Sequence, residues 1–114
     1  MSSSAQSFRH DVPWSDPEKK AARKAFDLAY KKQCAAITAK VKKMIASGSD
    51  PSNIWRIHDY LSEQRRAVDA LFDYRYSVLL LVFAKLLYAG LLTEADLSGL
   101  RDDKIEEVKS LMRL

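Results

Sequence analysis

The sequence is short of chain breakers. Among 114 residues there are only three glycines, Gly48, Gly90 and Gly99, and three prolines, Pro13, Pro17 and Pro51. So few turn-forming residues argue against a turn-rich sandwich or barrel and for long helices. Cysteine is scarcer still. Cys34 stands alone, which excludes an intramolecular disulfide and points to a reducing compartment, where it reads as a small apolar helix residue. Long apolar runs are missing as well. Val78 to Ala84 is the longest at seven residues and Lys85 ends it, so no membrane span is expected. The stretch Met1 to Asp11 has no apolar run that could serve as an export signal, and the chain is expected to be soluble and cytoplasmic.

Reactive chemistry is equally sparse. There is no Gly-rich phosphate loop, no Cys or His set at metal spacing and no serine elbow, so neither cofactor nor metal is expected. His58 beside Asp59 is the nearest approach to a base and its orienter, yet adjacent helical side chains point about 100° apart and seldom pair. His10 lies in an N-terminal segment, residues 1–12, that is expected to be flexible. A non-enzymatic protein is the result.

What is present suits one domain. Its 13.0 kDa leaves no room for a second independent core, and 47% apolar with 30% charged residues excludes a disordered chain. The net charge of +4 is uneven: 11 Lys/Arg against 5 Asp/Glu from Met1 to Ile57 make the first half +6, while 8 against 10 make the second half −2. A basic first half suits an acidic protein surface, nucleic acid or an anionic membrane, and charge alone does not choose.

Ser15-Asp16-Pro17-Glu18 reads as a capping box with proline in the first turn. From there small or apolar residues recur from Ala22 to Ile45 in steps of mostly three or four, until Ser47-Gly48 supplies a stop. This predicts a helix of about 32 residues and roughly 48 Å. Its lysines, among them Lys20, Lys24, Lys31, Lys32, Lys42 and Lys43, fall mostly off the stripe as a solvated basic face. Asp50-Pro51 reads as the cap and first turn of a second helix, antiparallel to the first. On it Ile54, Ile57, Leu61, Val68 and Phe72 form a narrow seam expected to face the first helix. Val78 to Tyr88, apolar almost all round, reads as a buried helix closed by Gly90. Thr93 is expected to cap a short helix ending near Gly99, and Asp102 a last helix. The fold class is all-α: a long antiparallel helical hairpin as stalk, about residues 15–72, with a small helical head, about residues 73–114.

The second helix carries another face. Measured from Ile54, Arg65 falls at about 20°, His58 at about 40°, Asp69 at about 60°, Ser62 at about 80°, Trp55 at about 100° and Asp59 at about 140°. Tryptophan and arginine in one patch are what interfaces use as anchors. Asp59 and Arg65 lie about 120° and roughly 9 Å apart along one helix, so they do not pair naturally within it. A two-fold axis near Ser62 would pair them twice between antiparallel copies, as an isologous homodimer.

These residues resemble those of a known family, the fluorescence recovery proteins of cyanobacteria. The resemblance is carried by Pro13-Trp14-Ser15, by the run Trp55 to Ser62 followed by Arg65, by Phe72-Asp73-Tyr74-Arg75-Tyr76-Ser77-Val78, by Val82-Phe83-Ala84, and by Gly90-Leu91, Asp96-Leu97 and Asp103-Lys104. It implies an all-helical homodimer that binds the photoactivated red form of the orange carotenoid protein through that partner's C-terminal domain. Binding would hasten reversion to the orange form and detachment from the phycobilisome, restoring antenna fluorescence without covalent chemistry. It implies a partner-binding and dimer patch at Trp55, His58, Asp59, Ser62 and Arg65, and a location at the thylakoid periphery through the phycobilisome. Head contacts are implied at Leu81, Phe83 and Lys104, although the family pattern would have an aromatic where Leu81 stands and a base where Glu107 stands.

The alternative is a small basic dimeric nucleic-acid-binding helical protein. Its support is the pI near 9.2 and a helix, Gly90 turn and Thr93-capped helix that imitate a helix-turn-helix. Against it, Thr93 to Gly99 holds Glu94 and Asp96 and none of the Arg, Lys, Asn or Gln that read bases, so no specific nucleic acid is expected.

Overall fold

A computed structural model describes residues 13–114 as four α-helices and one 3-10 turn. The segment expected to be flexible, residues 1–12, lies outside the described residues. Helix α1 spans Asp16–Ala46 and begins on the expected capping box. The Ser15 hydroxyl accepts from the Glu18 amide at 3.3 Å, and the Glu18 carboxylate accepts from the Ser15 amide at 3.1 Å. Helix α2 spans Asn53–Leu71. It starts later than Asp50-Pro51 suggested, because the Asp50 carboxylate accepts from the Ser52 amide at 3.0 Å and holds Pro51 and Ser52 in a turn. The Asn53 side-chain amide then donates to the Met44 carbonyl at 2.8 Å, tying the hairpin tip together.

Helix α3, Leu79–Tyr88, ends in a Schellman motif. The Leu91 amide reaches the Leu86 carbonyl at 2.9 Å and the Gly90 amide the Leu87 carbonyl at 3.0 Å. Gly90 takes φ +79°, a conformation that L side chains rarely adopt. The Thr93-capped segment is a single 3-10 turn, Glu94–Leu97, rather than a helix that could enter a groove. Helix α4, Asp102–Met112, is not capped by the Asp102 side chain as expected. Arg101 is the N-cap residue, its own amide donates across the fold to Glu18 at 2.9 Å, and Asp102 sits in the first turn.

The core lies at one end of a rod of 64 × 25 × 24 Å. Ala22, Ala25, Phe26 and Ala29 of α1 are buried there with Leu79, Phe83 and Leu86 of α3, and with Leu97, Leu100 and Val108. The first half of α1 therefore belongs to the head's core. Its alanines permit close approach, and a Cβ on Gly99 would collide with that of Ala21. Helix α2, by contrast, has no buried residue. Its half-buried positions are Asn53, Ile57, Tyr60, Gln64, Val68 and Leu71, with Phe72 just beyond its end. These six span an arc of about 80°, rotated about 50° from the expected seam. Ile54 and Leu61, expected to face α1, are 62% and 41% exposed. The polar Asn53 and Gln64 occupy the inner arc instead, so the apolar stripe is shared between α1 and solvent.

Candidate functional site

The outward arc of α2 carries the residues singled out in the sequence. Trp55 is 65% exposed, and its ring meets that of His58 edge-on with centroids 6.3 Å apart. The His58 Nδ1 lies 3.3 Å from the Asp59 carboxylate, a contact between neighbours that the 100° rule disfavours. The Arg65 Nε donates to Asp69 Oδ2 at 3.1 Å, one helical turn on. Asp59 and Arg65 thus have separate local partners and do not meet within the helix. Ser62 stands exposed between them, in a shallow groove of about 530 Å³ lined by Arg56, Asp59, Tyr60, Ser62, Glu63 and Arg66. The structure gathers all five stalk residues on one solvent-facing side of one helix.

The head residues divide differently. Leu81 is exposed on a groove of about 370 Å³ that it shares with Lys85, Tyr88, Leu111, Met112, Arg113 and Leu114. Phe83 and Lys104 are corrections: at 0% and 3% exposure neither offers its side chain to a partner. Phe83 fills the centre of the core. The Lys104 ammonium is bound by both oxygens of Glu18, at 3.1 and 3.0 Å, and lies 5.1 Å from the Trp14 ring centroid. Glu18 in turn accepts from the amides of Ser15 and Arg101. Burial alone would raise its pKa, but the two amides and the ammonium outweigh that and bring it down to about 2.

Three aromatic residues were missed in this respect: Phe26, Tyr30 and Phe72 wall a second stalk groove of about 370 Å³. Phe72 meets each of the other two rings edge-to-face, with centroids 5.4 Å apart. Asp27 and Asp69 also line it. Hydrogen bonding to the Cys34 thiol raises the Tyr30 pKa. Their three- and four-residue spacing marked them as core, and only the hairpin's register leaves them lining a surface. Tyr74 continues the aromatic row toward the head beneath Arg23. Burial, then its bond to Tyr76, pushes its pKa up to about 12.

Among the described residues no group of three His, Cys, Asp or Glu side chains could hold a metal ion. No helix there is long and apolar enough to cross a membrane. An exposed aromatic and charged face is suited to binding another macromolecule.

Comparison with known proteins identifies the family. The sequence profile of the family described as photoprotection regulator fluorescence recovery protein matches residues 14–112. The fluorescence recovery protein of Synechocystis sp. PCC 6803 is 35% identical over 104 residues, 91% of this chain and 95% of that protein. Its solved structure superposes with a TM-score of 0.83, covering 90% of this chain and all (100%) of that one. The structure of the Fremyella diplosiphon fluorescence recovery protein gives the same TM-score of 0.83 at 39% identity, covering 90% of this chain and 100% of that one. The chain, with four helices among its described residues and an exposed tryptophan face, belongs to the fluorescence recovery protein family of photoprotection regulators.

Proposed function

We propose that this protein binds the photoactivated red form of the orange carotenoid protein, accelerates its return to the orange form and promotes its release from the phycobilisome. The observation that carries the proposal is the outward face of α2, where Trp55, His58, Asp59, Ser62 and Arg65 lie together on a helix with no buried residue, in a member of this family. No covalent step is needed. A protein that speeds a partner's closure must bind the transition state of closure better than the open form, which calls for a rigid surface and no reactive group.

The working form in this proposal is a homodimer of one all-helical domain, residues 13–114, joined across an axis near Ser62 and acting from the cytoplasm at the phycobilisome. Ile54, Trp55 and Leu61 are costly to leave in water, and a second copy covers them. The partner's C-terminal domain meets the stalk face and, in the head, the Leu81 groove. There Tyr88 supplies the aromatic surface and Lys85 and Arg113 the positive charge.

The test is co-elution on size exclusion with light scattering. The protein is expected to comigrate with illuminated carotenoid protein and far less with the dark-adapted form. Equal binding to both forms, or to neither, would reject the proposal.

A further inference from the structure

The irregular segment Phe72-Asp73-Tyr74-Arg75-Tyr76 joins the base of α2 to the head, and its residues alternate in kind. Asp73 and Arg75 bind each other, the Arg75 Nε donating to the two carboxylate oxygens at 2.8 and 3.1 Å. The three rings between and beside them lie against α1 and the residue before its cap. They complete an unbroken aromatic row: Trp14 to Tyr76 at 5.3 Å between centroids, Tyr76 to Tyr74 at 5.6 Å, Tyr74 to Phe26 at 4.9 Å, then Phe26 to Phe72 and Phe72 to Tyr30 at 5.4 Å each. Cations of α1 lie over the row, with the Arg23 guanidinium 4.5 Å from the Tyr74 centroid and the Lys19 ammonium 5.5 Å from that of Tyr76. The Tyr74 hydroxyl also donates to the Lys19 carbonyl at 3.4 Å.

Between its two ends α2 is lightly held. It has no buried residue, and at the tip the Asn53 side chain ties it to the Met44 carbonyl. The first half of α1 belongs to the head's core, whereas at the base of α2 only half-buried Leu71, Phe72 and Tyr74 pack against that core. The set of α2 relative to the head is therefore decided at this strap. The two surfaces assigned to the carotenoid protein lie on either side of it, the α2 face before it and the Leu81 groove after it. We infer that the strap is a positioning element, with Tyr74 at its centre, that holds the α2 face and the head groove as one preformed surface. The inference rests on the partner binding of the preceding section and names the residues that make that surface rigid. A joint free to swing would have to be ordered on binding, which weakens the hold on the closing partner. Two contacts fixed on one body instead act on that partner at high effective concentration.

Pulsed EPR on the full chain tests the positioning role without the partner. Cys34→Ala removes the native thiol, and spin labels go on Ala67→Cys in α2 and Ser110→Cys in α4, both at exposed positions. Dilution with unlabelled protein restricts the reading to distances within one chain. One narrow distance peak is expected, kept in Tyr74→Phe and in the packing control Gly99→Ala, and broadened several-fold in Tyr74→Ala with helicity verified by circular dichroism. Arg23→Ala strips the cation from the row at an exposed site and should broaden the peak less, so it decides the matter if Tyr74→Ala loses its helices. A peak already broad in the wild type, or equally narrow in Tyr74→Ala and Arg23→Ala, overturns the positioning role. Equal broadening in Gly99→Ala traces the effect to general loosening and also overturns it. The dark red-to-orange conversion then separates the two readings. Acceleration reduced several-fold by Tyr74→Ala supports the preformed surface, and full acceleration by a variant with a broadened peak overturns it. No acceleration by the wild type overturns the function of the preceding section, and the coupling with it, while the distance peak still reports what the strap holds.

Discussion

Glu18 holds together parts of the chain far apart in sequence. Its carboxylate closes the capping box of α1, accepts the N-cap amide of α4 and neutralises a lysine that is 3% exposed. Replacing it by Gln leaves the Lys104 ammonium buried without a counter-charge, which is expected to cost about 3 to 5 kcal/mol. Lys104→Met should cost less, because Glu18 keeps both amide donors. Urea unfolding of the two variants checks the order. The same carboxyl makes stability pH-dependent. Its folded pKa of about 2 lies below the ordinary value of 4.5, so its contribution of about 3 kcal/mol is complete above pH 4.5 and disappears as pH falls toward 2. The fall should be much smaller in Glu18→Gln. In the sequence Glu18 was legible as a cap and no more, since its three-residue spacing from Ser15 says nothing of what packs over the helix end. Lys104 was misplaced for the same reason: lysines are seldom buried unless paired, and the pairing residue is 86 positions away.

At the scale of elements, helix ends were the most legible feature where side chain and backbone act locally. Ser15 and Thr93 cap as their spacing to Glu18 and Asp96 implies, and Gly90 closes α3. Asp50 and Asp102 resemble caps equally well in sequence, but a turn bond and a long-range bond within the chain, from the Arg101 amide to Glu18, decide those starts. The registration of α2 was legible only in part. Its apolar stripe at 3.6-residue period gives the helix, yet nothing in the period tells which half of the stripe meets α1. Asn53, bound to Met44, and half-buried Gln64 turn Ile54 and Leu61 outward. The face that carries the candidate site follows from the helical period alone, whereas the outward turn of Ile54 and Leu61 beside it is a product of tertiary registration. Gly99 provides a test of packing between elements. Gly99→Ala forces a methyl against Ala21 and should destabilise by about 1 to 3 kcal/mol in thermal or urea melts, whereas Gly48→Ala meets nothing within 4 Å.

Across the whole molecule the rod has two chemically distinct sides. Lys20, Lys24, Lys31 and Lys42 share one arc of α1, spanning about 40° and facing away from the half-buried Ile37 and Met44. Binding to duplex DNA should be weak and vanish as salt rises, because the one candidate reading segment is a 3-10 turn bearing Glu94 and Asp96. Retention of a specific sequence at physiological salt would revive the nucleic-acid reading. In the proposed homodimer the α2 side carries the contact. Asp59→Arg places like charges together at two symmetric positions and should shift dimer toward monomer at micromolar concentration, and the double exchange Asp59→Arg with Arg65→Asp should restore it. Light scattering gives the mass of each. Acceleration by binding alone is tested in the dark red-to-orange conversion of the carotenoid protein, followed by absorbance with substoichiometric amounts of this protein. The rate is expected to rise with added protein and to collapse for Trp55→Ala at equal helicity. A conversion rate unchanged by the wild-type protein would contradict it.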